Sequence, residues 1–143
     1  MQAANRLQKA LRKGSASFGA WQVSTIDYHI KIVPVLTLSQ MLPGTNLSRM
    51  LARSGPDWIC VDTEHGLLSD PHMHESVAAI AACGVSPVVR IPANEAWMVK
   101  RALDAGAHGI IVPLLQTAED ARRLVSSAKF PPQGTRGLSL IHI

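Results

Sequence analysis

From Asp57 onward the apolar positions alternate between two periods. Asp57-Trp-Ile-Cys-Val-Asp62 is a short apolar run closing on an acid, the pattern of a buried strand. From His74 to Cys83, Val77, Ala78, Ile80 and Ala81 recur at helical spacing, and Gly84 supplies the stop. Ser86-Pro-Val-Val-Arg-Ile-Pro92 reads as a second buried strand, with proline near both ends where a ladder can spare an N–H. Glu95 to Ala105 is helical, with Trp97, Met98, Arg101 and Ala102 spaced by three and four, and Gly106 ends it. His108 to Leu115 is a further strand. Thr117-Ala-Glu-Asp120 resembles a capping box and opens a helix that carries Ala121, Leu124 and Val125 to about Lys129. Phe18 to Gln22 reads as a first strand.

Apolar strands separated by helices of about a dozen residues call for βαβ units and a parallel sheet covered on both faces. The expected class is α/β, and the count is four βα units. A doubly wound sheet would also alternate in this way, but no Gly-rich fingerprint follows the first strand to support a dinucleotide site. A complete (β/α)8 barrel takes about 250 residues. The 143 residues are therefore read as a single incomplete TIM-barrel domain, 1–143.

Composition narrows the partners. An apolar share of 47% against 17% charged suits a globular chain with a real core. The net charge of +4 is modest, and only 4% of residues are aromatic, so the basic stripe interleaved with aromatics that marks nucleic-acid binding is absent. No apolar run is long enough to span a bilayer. Cys60 and Cys83 are too few for a disulfide framework or a zinc site and read as buried thiols of a reducing, cytoplasmic compartment. The first 26 residues contain no acid, as in a mitochondrial presequence. The competing reading, a surface helix over Asn5 to Lys13 with Leu7 and Leu11 on one face, is favoured here.

Parallel-barrel enzymes keep their chemistry at the C-terminal ends of the strands. That rule selects Asp62-Thr-Glu-His65-Gly66 after strand two, Arg90 at the end of strand three, and Pro113 to Gln116 after strand four. A carboxylate near a histidine can fix its tautomer and raise its basicity, giving a general base near neutral pH. Arginine on the next strand presents a planar fork suited to a carboxylate or a developing enolate oxygen. Gly66 leaves room for a ligand. From position alone, Asp62 and Arg90 could equally form a structural ion pair, and His65 could be an ordinary loop histidine. His72-Met-His74-Glu75 lacks the i,i+4 histidine spacing of a helical metal site and reads as the start of a surface helix. Trp58 and Trp97 read as packing residues.

The run Gly55-Pro-Asp-Trp-Ile-Cys-Val-Asp-Thr-Glu-His-Gly66 resembles the G-x-D-W-x-x-x-D-x-E-H-G signature of the HpcH/HpaI aldolases. The resemblance continues in order through Val88 to Pro92, Lys100 to Gly106, Ala107 to Pro113, Thr117 to Ala121 and Pro131 to Gly137. It implies a (β/α)8 barrel that cleaves 4-hydroxy-2-oxo acids to pyruvate and an aldehyde, or runs the reverse addition, with a divalent metal (Mg2+, Mn2+ or Co2+) and no Schiff-base lysine. Carried over, it makes His65 the general base oriented by Asp62, with Arg90 holding the pyruvyl oxygens. Gly66 and Gln116 would contact substrate, and Glu64 would act through the metal-bound water. The family's direct metal ligands are a Glu after strand five and an Asp after strand six. No residue of this chain matches either, so it holds no direct metal ligand in this reading, and negligible aldolase activity is expected of the polypeptide as written. Full-length relatives are commonly homo-hexamers. The alternatives are a non-catalytic half barrel that only binds or assembles, and a relative doing other pyruvate-enolate chemistry such as oxaloacetate decarboxylation.

Two segments break the rhythm. Val23 to Gln40 is β-branched and apolar where a strand should feed a helix, and Ser139 to Ile143 follows the family-like stretch as an unrelated tail. Hypothesis: residues 23–40 are a translated intron, since Val-Ser can be encoded by a donor sequence, GTAAGT, and a final Gln by the acceptor CAG. Their removal joins Trp-Gln to Met-Leu-Pro-Gly. A mature transcript that retains those 18 codons contradicts this, and the competing reading is a genuine loop insertion.

Overall fold

The computed structural model describes residues 5–15, 19–20 and 39–137. Helix α1 (Arg6–Lys13) precedes strands β1 (Gly19–Ala20) and β2 (Ser39–Gln40). There follow α2 (Thr45–Arg53), β3 (Trp58–Asp62), α3 (Asp70–Ala82), β4 (Ser86–Arg90), α4 (Ala96–Asp104), β5 (Gly109–Ile111) and α5 (Ala118–Ala128). Every pairing is parallel; β1 and β2 both lie against β3, and β4 and β5 follow in order. This is the four-unit βα alternation that the apolar pattern predicts. Of the expected first strand, Gly19 and Ala20 are seen in the ladder; Phe18, Trp21 and Gln22 lie outside the described residues. So do most of the 23–40 segment and the 139–143 tail.

Side chains alternate across each strand, and the parity fixes what the site can contain. Ile59, Val61, Val89 and Ile91 pack with Met73, Val77 and Ile80 of α3 and with Val99 and Ala102 of α4. Cys60 and Asp62 therefore turn to the opposite, inner face, beside their register partners Val88 and Arg90. At the N-terminal ends of the strands, α1 lies over the inner face. The Leu7 N–H donates to Ser86 Oγ (3.4 Å), and a Cβ on Gly109 would sit 3.8 Å from the Leu7 side chain. The helix expected over Asn5 to Lys13 is thus present, with the Asn5 side chain accepting from the Gln8 N–H at 2.8 Å and left-handed Gly14 closing it.

Several helical faces differ from the sequence reading. Helix α3 starts at Asp70, so its phase is set by Met73, and the buried positions are Met73, Ser76, Val77, Ala79 and Ile80. Ala78 and Ala81 face outward. In α4 the buried residues are Val99 and Ala102, while Arg101 pairs with Asp70 across the surface at 2.5 Å and Trp97 is 55% exposed rather than packed. His72 caps α3, its Nδ1 lying 3.3 Å from the Ser69 N–H and 3.0 Å from the Ser69 hydroxyl. The Thr117–Asp120 capping box forms as expected, with both reciprocal bonds at 3.1 Å. No helix of the described residues is long and apolar enough to cross a membrane.

Cys60 is buried, whereas Cys83, at the exposed end of α3, is only half-buried. Burial, then the neighbouring Asp62 carboxylate, pushes the Cys60 thiol up to about 12. Iodoacetamide at pH ~8 is therefore expected to alkylate Cys83 in the folded protein and leave Cys60 untouched until denaturant is added. Peptide mass spectrometry reads this directly; simultaneous labelling of both thiols would contradict it.

Candidate active site

Strands β3 and β4 end together, in register, at Asp62 and Arg90. The Asp62 side chain is fully buried and that of Arg90 is 11% exposed. Arg90 Nε donates to Asp62 Oδ1 at 2.9 Å and a second guanidinium nitrogen bonds Asp62 Oδ2, giving a bidentate pair. Asp62 Oδ1 also accepts the backbone N–H groups of Glu64 and His65, each at 3.0 Å. One carboxylate thus anchors the arginine and shapes the turn above it. Glu64 leans over the same guanidinium, with Oε2 3.3 Å from Arg90 Nε. Its other oxygen lies 3.7 Å from Nε2 of His65, whose side chain is 63% exposed.

The strand-end ion pair that position alone allowed is therefore formed. One geometric expectation differs: Glu64, not Asp62, stands beside the His65 imidazole. Asp62 is a strand residue facing inward, so its carboxylate meets the His65 backbone, while the ring projects three residues further along an exposed turn. Gly66 closes that turn. A Cβ there would collide with the Asp62 carbonyl oxygen and lie 3.1 Å from the Met41 backbone, which also accepts the Leu67 N–H at 2.8 Å. Gln116 is exposed and lines a separate hollow between the loops after β4 and β5, with Pro92, Asn94, Leu114 and Arg123.

Two further features carry no sequence signal that pattern reading uses. The Thr63 N–H and hydroxyl both donate to the Arg90 carbonyl, at 3.0 and 2.6 Å, lashing the end of β4 to that of β3. Leu114 has φ 55°, a left-handed backbone that costs a non-glycine residue about 1–3 kcal/mol. Pro113 before it gives only a generic hint of a turn.

Burial opposes ionisation of Asp62, but the Arg90 hydrogen bond, the His65 N–H, the Arg90 charge and the Glu64 N–H outweigh it and hold the carboxyl below its ordinary 3.8. Arg90 also loses solvation by burial, yet Asp62 and then Glu64 hold its pKa above the ordinary guanidinium value. The unfolded chain therefore binds the Asp62 proton more tightly than the folded one. Stability from this group is complete above pH ~3.8 and drains as pH falls through the depressed folded value. Urea unfolding between pH ~7 and ~3 is expected to show that loss below pH ~3.8, with a shallower decline in Asp62→Asn. An identical acid limb in the variant would contradict the assignment.

Among the described residues no group of three or more His, Cys, Asp or Glu converges to hold a metal ion. Both Asp62 oxygens and one Glu64 oxygen are engaged with Arg90, so these two carboxylates do not by themselves make a metal cage.

A sequence profile described as HpcH/HpaI aldolase/citrate lyase matches residues 42–141, which include this whole cluster. The chain belongs to the HpcH/HpaI family. It is 31% identical over 134 residues to the hydroxypyruvate/pyruvate aldolase of Roseobacter denitrificans, covering 94% of this chain and 45% of that protein. It is 33% identical to the 2-dehydro-3,6-dideoxy-6-sulfogluconate aldolase of Pseudomonas putida, covering 92% and 45%. Among solved structures, an HpcH/HpaI family protein of Burkholderia cenocepacia superposes with a TM-score of 0.75 at 33% identity, over 94% of this chain and 48% of that one. The citrate synthase SbnG superposes with a TM-score of 0.75 at 27% identity, over 92% and 46%. The chain thus spans about half the length of the HpcH/HpaI relatives it matches, and its four βα units are part of a TIM-type barrel.

Proposed function

We propose that this HpcH/HpaI chain carries the proton-transfer and oxyanion-holding side of a carbon–carbon lyase that cleaves 4-hydroxy-2-oxo acids to pyruvate and an aldehyde. The observation that supports it most is the Asp62–Arg90 pair on the inner face at adjacent strand ends, with Glu64 and His65 in the turn directly above. Such strand ends are where this architecture keeps its chemistry.

In this reading the exposed His65 imidazole, steadied by Glu64, takes the proton of the 4-hydroxyl. The C3–C4 bond breaks, the aldehyde leaves, and the bond's electron pair passes into the enolate of pyruvate. Arg90, its fork held flat by Asp62, lies against the enolate and carboxylate oxygens and stabilises the charge that develops there. Protonation of the enolate at C3 gives pyruvate. Gly66 and Gln116 would contact substrate. The Mg2+, Mn2+ or Co2+ that the family implies would take donors beyond those described, and no step above is assigned to it. A homo-oligomeric, cytoplasmic protein is part of the same proposal.

The absence of a three-ligand set among the described residues favours a second reading, in which this polypeptide binds or assembles without turnover. A coupled lactate dehydrogenase assay with each metal separates the two. Pyruvate release that falls about 10²–10⁴-fold in His65→Ala supports the lyase. No release with any metal supports the second reading, and pyruvate from oxaloacetate alone would point to a decarboxylase.

A further inference from the structure

Strands β1 and β2 lie in one line along β3. Gly19 and Ala20 face Trp58 and Ile59, and Ser39 and Gln40 face Cys60 and Val61. The ladder advances one residue at a time on β3, while the opposite chain steps from 20 to 39. An uninterrupted strand would place Trp21 and Gln22 opposite Cys60 and Val61. The offset is 39 − 21 = 40 − 22 = 18 residues, and the second of the two positions is glutamine in both frames.

That glutamine has a specific job. Gln40 is fully buried. Its Nε2 donates to the carbonyls of Leu42 (3.0 Å) and Gly44 (3.2 Å), and its Oε1 accepts from the Ser48 hydroxyl at 2.6 Å. It ties the strand to the first turn of α2, one residue before Met41, whose carbonyl holds the Gly66 turn through Leu67. A one-residue slip in a ladder turns every following side chain to the wrong face. A buried polar group without its partner is also costly. An insertion within a strand is thus tolerated where the chain re-enters in register and brings back the side chain that the buried site requires.

We infer that this strand carries an 18-residue insertion and that Gln22 and Gln40 are interchangeable at one buried position. Removal of residues 23–40 leaves Gly19–Gln22 running directly into Met41, with Gln22 taking the bonds to Leu42, Gly44 and Ser48. The site at Asp62–Gly66 and Arg90 keeps its support. A transcript lacking those 18 codons would encode this shorter chain. The inference rests on the ladder register and the Gln40 bonds, not on the lyase reading.

Thermal unfolding of variants tests it. The Δ23–40 chain and its companion Δ21–38, which keeps Gln40 itself, are both expected to melt cooperatively at or above the melting temperature of the full chain, because a continuous strand brings no loop-closure entropy between the two ladder segments. Gln40→Ala lowers the melting temperature of the full chain. In Δ23–40, Gln22→Ala acquires the same drop. The inference is overturned if Δ23–40 melts below the full chain or without cooperativity while Δ21–38 folds, if both deletions fail, or if Gln22→Ala is silent in Δ23–40.

Discussion

Replacing Arg90 by alanine is expected to lower the unfolding free energy by about 3–5 kcal/mol, the range for removing one partner of a buried ion pair. The reason lies in what stays behind. Asp62 has no exposed surface, so without the guanidinium its negative charge is desolvated, while the N–H groups of Glu64 and His65 still reach it. Those two bonds soften the loss but do not replace a bidentate cation. The variant should repair itself by protonating Asp62, so the deficit against the parent shrinks as pH falls towards ~4, where a buried carboxyl that has lost its cation is neutral. Arg90→Lys recovers part of the charge and none of the fork geometry, and should fall between the two. Chemical denaturation at two pH values measures all of this. A loss under about 1 kcal/mol, the level of an exposed surface pair, would show that the pair is solvated and not the anchor of the strand ends.

Gly66→Ala is expected to cost about 3 kcal/mol, the upper end of the overpacking range. The atoms nearest a Cβ at that position are backbone: the Asp62 carbonyl on one side and Met41 on the other. Neither can swing aside as a flexible side chain would. Asp62 is fixed in the β3 ladder, and Met41 is tied through its carbonyl to Leu67. The turn must open, taking the Glu64 and His65 N–H groups off Asp62. Loss of stability should therefore be accompanied by a shifted His65 resonance in the NMR spectrum. A variant within about 0.5 kcal/mol of the parent, with that resonance unmoved, would mean that the turn has slack.

Much of the scaffold is legible in the sequence because burial on both faces forces a simple pattern. Trp58 to Val61 and Pro87 to Val89 are unbroken apolar runs, so the strands and their ends at Asp62 and Arg90 follow from composition. The alternation of side chains then places that acid and that base on the same inner face. The helices after β3, β4 and β5 are equally readable, but helix phase is not. Ala78 and Ala81 are apolar yet face out, since Met73 and Ser76, earlier in α3, decide which side packs. The strand expected over His108 to Leu115 pairs only over Gly109–Ile111, and Leu114 then turns left-handed, a departure no periodicity announces.

Within the site, residue identity was visible and partnership was not. Asp62 and His65 are three positions apart in a turn, and only the turn's path shows that the carboxylate reaches the His65 backbone while Glu64 reaches its ring. The double bond from Thr63 to the Arg90 carbonyl depends on strand register in the same way. The break in the first strand and its 18-residue length are visible as a misfit of pattern, but that the step preserves register emerges only from the pairing of Ser39 and Gln40 with β3.

The central claim, that Asp62, Glu64, His65 and Arg90 form the proton-transfer side of a carbon–carbon lyase, is tested most directly in a complete barrel. Residues 55–137 would replace the aligned stretch of the Roseobacter denitrificans aldolase, and pyruvate release from a 4-hydroxy-2-oxo acid would be measured. The chimera is predicted to turn over substrate, and His65→Ala within it to lose about 10²–10⁴-fold in rate while the fold persists. A folded chimera whose rate is unchanged by His65→Ala, or which releases no pyruvate, would contradict the account.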